Sequence, residues 1–180
     1  MAANGQNADV AAIDSSIGDA YLSLKRDSKS YCENALRIYS KPVPGSLPEE
    51  IASGRVDISA IYISMNEPDK TLQLLQKAIK LFKECHFKVS GNWRKEICLF
   101  GITLNQMGLA CVKLYSIKEA ADFFEEARSI LEAEYGSYHA DTLRIYSNLA
   151  GTYYAMGRTA DAIEIMEYVA GMREEEFSKS

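Results

Sequence analysis

The residue types that most often do chemistry are present in this chain at spacings that do not favour it. The two histidines, His86 and His139, lie far apart, and no Glu/His cluster has metal-ligand spacing. No glycine-rich loop is placed to cradle a phosphate. Cys32, Cys85, Cys98 and Cys111 show no Cys-x-x-Cys pattern and fall on helical segments, which argues for reduced thiols rather than a disulfide framework. Cys111 reads as a small hydrophobe at a core position. Paired carboxylates could exchange protons, but Asp122, Glu125, Glu126, Glu132 and Glu134 read as the solvated face of a helix. His139, just before Asp141 and Thr142, reads as part of a helix cap. Ser59 and Ser147 have no base at a workable spacing. The expectation is a non-enzymatic protein with no metal and no cofactor.

What remains is binding, and a spacing shows how the chain is built for it. Leu104-Asn105-Gln106-Met107-Gly108-Leu109-Ala110-Cys111 recurs loosely as Tyr146-Ser147-Asn148-Leu149-Ala150-Gly151-Thr152-Tyr153. Ala120, Phe124 and Ala127 stand 42 residues before Ala162, Met166 and Val169. Two helical signatures per fixed period define a helix-turn-helix solenoid of the tetratricopeptide type. Small residues let paired helices approach, and large ones fill the remaining space. Gly108 should therefore face its partner helix near Ala120. A weaker unit reads Arg55, Ile58-Ser59 and Tyr62, then Thr71, Leu75 and Ala78; the first reads Ile17-Gly18, Tyr21 and Ala35. Gly157 and Asn66 suit the left-handed turn between the helices of a pair, and Pro68 suits the first turn that follows.

The pattern predicts an all-α fold of about four helix pairs. The units span about 11–41, 48–87, 94–136 and 139–177, behind a disordered leader at 1–10. Helices are expected near 10–24, 27–40, 48–65, 68–85, 94–115, 117–135, 139–156 and 159–176. From Leu75 to Phe124 the step is 49 residues rather than 42, so either the Lys88–Arg94 region is lengthened or a whole unit is missing there.

With 47% hydrophobic residues the chain has enough for a core, and no apolar run is long enough to cross a membrane. The N-terminus lacks the basic and apolar regions of a secretory signal. A net charge of −5 without a basic cluster disfavours nucleic acid and strongly acidic surfaces.

In such a solenoid the first helix of each pair lines the inner curve. The groove residues expected on that basis are Val56 and Ile63, then Asn105, Leu109, Val112 and Lys113, then Arg144, Ser147 and Tyr154. Asn105 is the leading candidate, because a carboxamide can bond any peptide backbone. Lys113 and Arg144 could receive an acidic group. At the end of the chain, Ile163, Met166, Val169 and Met172 form a stripe with no later repeat to cover it, an expected site of self-association.

From Tyr31 onward the chain resembles the plant kinesin light chain-related proteins. The strings that carry the resemblance are ENALRIYSKPVPG, PEEIASG, ISAIY, LLQKAIKLF, GITLNQMGLACV, EAADFFEEARSILE, YHADTL, YSNLAGTYYAMGR and DAIEIMEYVAGMREE. The resemblance implies a cytoplasmic, cytoskeleton-associated scaffold whose partners are microtubule-associated complexes and IQD-type scaffold proteins. Relatives carry more repeats and a further C-terminal helix, and Ala140 stands where they usually have proline. The alternative is a truncated paralogue that self-associates, as a homo- or hetero-oligomer, or interferes with full-length relatives.

Overall fold

The computed structural model describes Ser16 and residues 29–40, 48–85 and 93–177. The expected helix at 10–24, apart from a helical Ser16, lies outside them, as do the leader, His86 and residues 41–47 and 86–92. The described residues form seven helices: α1 (Lys29–Ser40), α2 (Pro48–Ser64), α3 (Pro68–Cys85), α4 (Trp93–Lys113), α5 (Ile117–Tyr135), α6 (Ala140–Ala155) and α7 (Thr159–Phe177). The chain divides into two compact units between Trp93 and Arg94.

In the first unit α2 packs on both α1 and α3. Ile58, Ser59, Thr71, Leu75 and Ala78 are all completely buried, and Tyr62 nearly so. The small side chains sit where the pair is closest: Thr71 Oγ1 donates to the Ser59 carbonyl oxygen at 3.3 Å. Gly54 is forced for a different reason, since a Cβ there would run into the ring of Tyr39.

In the second unit α5 turns Ala120, Ala121, Phe124, Ala127 and Leu131 inward. Their spacing of three and four residues makes one apolar stripe. Helix α6 buries residues on more than one side, including Ile145, Tyr146, Leu149 and Tyr153, because it packs between α5 and α7. Gly108 faces α5 as expected, and its nearest neighbour there is the ring of Phe124, one turn on from Ala120. A Cβ at Gly108 would stand 2.7 Å from Phe124 Cδ1, and Phe124 is fully buried.

The turn inside each described helix pair repeats closely. Asn66, Tyr115 and Gly157 all have positive φ, at 59°, 61° and 77°. The next amide reaches back to close each turn: Glu67 N to Tyr62 O, Ser116 N to Cys111 O and Arg158 N to Tyr153 O, all at 2.9 Å. This is the Schellman closure of a helix C-terminus. The helix expected to run to residue 115 stops sooner: α4 ends at Lys113, and Tyr115 belongs to the turn. A tyrosine is an unusual left-handed residue, and Tyr115 is 89% exposed.

Candidate protein-binding groove

A side-chain bond links α4 and α6, the first helices of the last two pairs. Asn148 Nδ2 donates to Asn105 Oδ1 at 2.8 Å. Beside this bond lies a groove of about 300 Å³. Leu109 and Val112 of α4 and Ile117 of α5 form one wall, and Phe124 closes the floor. Ser147, Asn148, Gly151, Thr152 and Ala155 of α6 form the other wall. None of these side chains ionises. Asn148 uses one N–H on Asn105; no other hydrogen bond of its carboxamide is found among the described residues, which leaves an acceptor and a donor for a ligand.

Leu109, Val112 and Ser147 of the expected set line this groove. Asn105 does not: it is 7% exposed and acts from behind, holding Asn148. Adjacent residues on a helix differ by about 100° in direction, so repeat position alone does not say how far Asn105, Ser147 or Asn148 turns toward the groove. Lys113 is exposed beside Val112, and Arg144 is exposed with its guanidinium 3.4 Å from Asp141 Oδ1. Tyr154 projects from α6 outside the lining. In the first unit Ile63 is half-buried, whereas Val56 is a correction to the expected set. Its side chain is 2% exposed in the core, so it offers no contact to a ligand.

Glu125 and Glu132 are also corrections, because they are not simply solvated. They stand seven residues apart on α5, two turns along one face, and meet two α6 tyrosines with the same separation. Tyr146 Oη donates to Glu132 Oε1 at 2.9 Å, Ser137 Oγ donates to the same oxygen at 2.7 Å, and Tyr153 donates to Glu125. Arg128 lies between them, 2.9 Å from Glu125 Oε2 and over the Tyr146 ring. Burial first, then the Glu132 carboxylate, drives the Tyr146 phenol pKa well above its ordinary value. These bonds fix α6 against α5.

His139 caps α6, its Nδ1 accepting from the Asp141 amide at 3.3 Å, and its ring stacks on Tyr135. Burial pushes the Cys111 thiol up to about 11, which keeps it protonated and poorly nucleophilic. Among the described residues no three His, Cys, Asp or Glu side chains gather as metal ligands, and no helix is long and apolar enough to cross a membrane.

Paired helices with small residues at their contacts, repeated turns and a groove between successive first helices define a tetratricopeptide-repeat protein. Residues 99–175 match the tetratricopeptide repeat family. Protein KINESIN LIGHT CHAIN-RELATED 2 of Arabidopsis thaliana is 45% identical over 255 residues, covering 97% of this chain and 38% of that protein. KINESIN LIGHT CHAIN-RELATED 3 of the same plant is 40% identical over 253 residues, covering 97% and 39%. The chain belongs to this kinesin light chain-related family and spans under two-fifths of the length of these relatives. The crystal structure of BtubC (BKLC) from P. vanneervenii shares the fold, with a TM-score of 0.74 at 17% identity over 93% of this chain and 64% of that one.

Proposed function

We propose that this chain is a non-enzymatic interaction module that holds an extended segment of a partner protein in the groove between α4 and α6. The observation that carries this reading is the groove itself: about 300 Å³, apolar on the α4 side, with the held carboxamide of Asn148 facing it. That volume is at the lower end of the range for pockets that enclose small ligands, and suits one or two side chains. Membership of the family supports a cytoplasmic, cytoskeleton-associated setting, with IQD-type scaffolds or microtubule-associated complexes as the partners to try first. The alignments to the relatives run over 255 and 253 residues although this chain has 180, which supports the loss of whole repeat units rather than a lengthened loop.

A second reading is favoured by α7. Ile163 and Met166 are 53% and 50% exposed, whereas Ala121 and Phe124, 42 residues earlier, are covered. Val169 is buried and so is not part of the open strip, and the Met172 side chain lies outside the described set. This strip fits self-association or pairing with a longer relative.

Affinity capture from plant tissue with three baits separates the two readings. A partner lost with Val112→Glu and kept with Ile163→Glu supports the groove. The reverse pattern, with a fall in mass by light scattering for Ile163→Glu, supports association through α7. Capture unaffected by either variant counts against both.

A further inference from the structure

Tyr115 stands where the fold would be better served by another residue. The same place in the other two turns is held by Asn66 and Gly157, types that tolerate positive φ, whereas a tyrosine there is strained. Its ring does not compensate: it is 89% exposed and makes no hydrogen bond or ring contact among the described residues. Backbone strain that serves no packing points to a use outside the fold. Lys113, two residues before Tyr115, and Lys118, three after it, are both exposed and make no ion pair among the described residues. The turn between α4 and α5 therefore presents an aromatic ring between two uncompensated ammonium groups.

Helix α7, in the same unit, carries the complement. Ile163 and Met166 are 53% and 50% exposed, and Glu167 follows Ile163 by four residues, so the three share one face. Glu164 and Glu167 are exposed and likewise make no ion pair among the described residues. Apolar side chains beside two carboxylates match a ring beside two ammonium groups in both kind and sign.

We propose that the α4–α5 turn of one copy of this chain docks on α7 of a second copy, with Tyr115 packed on Ile163 and Met166, and Lys113 and Lys118 facing Glu164 and Glu167. Pairing α7 with a second α7 would instead set these carboxylates against their own copies, and like charges oppose such a contact. Because the two surfaces differ, the contact is heterologous: a pair of copies still has one turn and one α7 open, so further copies can add. This inference rests on α7 being an association surface.

Sedimentation velocity of the whole chain over a concentration series tests it, using wild type, Tyr115→Gly, Ile163→Glu and an equimolar mixture of the two variants. The expected result for wild type is a mass that rises with concentration and falls when salt is added, since exposed charges are screened. Each variant alone should associate at least about tenfold more weakly, as expected when apolar side chains are denied burial. Tyr115→Gly should do so while melting at the wild-type temperature or above, which separates the contact from the fold. The mixture should regain association and stop at two copies, because the intact α7 of Tyr115→Gly receives the intact turn of Ile163→Glu. Association lost with Ile163→Glu but kept with Tyr115→Gly, or a mixture that stays at monomer mass, overturns the pairing of these two faces and leaves α7 as an association surface. A wild type that is monomeric at every concentration, or association that survives Ile163→Glu, overturns both.

Discussion

Asn105 holds Asn148 across 43 residues of sequence, with its Oδ1 2.8 Å from the Asn148 Nδ2. The buried member of the pair holds the carboxamide of Asn148 beside the groove. Asn105→Ala should therefore destabilise the second unit by about 1–3 kcal/mol, the range for a buried polar group left without its partner. The effect should be smaller in an Asn148→Ala background, because the two share one interaction. Denaturant midpoints of the four proteins of this cycle check it; additive losses would mean the bond contributes nothing.

The two kinds of glycine should behave oppositely. Gly108→Ala places a methyl group against the buried Phe124 ring and should cost about 1–3 kcal/mol or more. For a chain of this length each kcal/mol lowers the melting temperature by roughly 2–4 °C. Gly151→Ala meets open space and should be neutral or stabilising by up to about 1 kcal/mol. Thermal melts of both variants give the comparison directly.

Tyr115 carries backbone strain at φ 61° with its side chain 89% exposed. Left-handed backbone costs a residue with a Cβ roughly 1–2 kcal/mol. Tyr115→Gly should recover about 1 kcal/mol, read as a higher denaturant midpoint, with the loss of little packing. A lower midpoint would show that the exposed ring contributes more than the strain removes.

Much of the repeat is legible in the sequence, and particular residues show where that legibility stops. Ala120, Phe124, Ala127, Ile58 and Leu75 announce themselves by period, and all are fully buried. Gly157 and Asn66 declare their turns by type. Tyr115 does not, because its residue type gives no sign of left-handed backbone; only its place 42 residues before Gly157 could have revealed it. Glu125 and Glu132 look solvated when α5 is read alone, since their partners Tyr153 and Tyr146 arrive from the next helix. Repeat position puts Val56 and Asn105 in the groove, but it does not resolve which side chains a neighbouring helix covers.

Alkaline pH should weaken the first unit in a defined window. Burial, helped by nearby carboxylates, raises Tyr39 and Tyr62 from 10.0 to about 12. Between those values the unfolded chain ionises these phenols and the folded chain does not. Their contribution is complete below pH 10 and is lost as pH rises through about 12. Tyr62→Phe should flatten the fall of denaturant midpoint above pH 10, and an unchanged slope would contradict the assignment.

The function proposed for the α4–α6 groove is to hold a partner's peptide segment. Its most direct measurement is calorimetric titration of a peptide selected on this chain from a random displayed library. One-site binding to wild type is expected, with a Kd at least about tenfold weaker for Val112→Glu, which is about 1.4 kcal/mol or more, and no change for Ile163→Glu. The same Kd for wild type and Val112→Glu would contradict it.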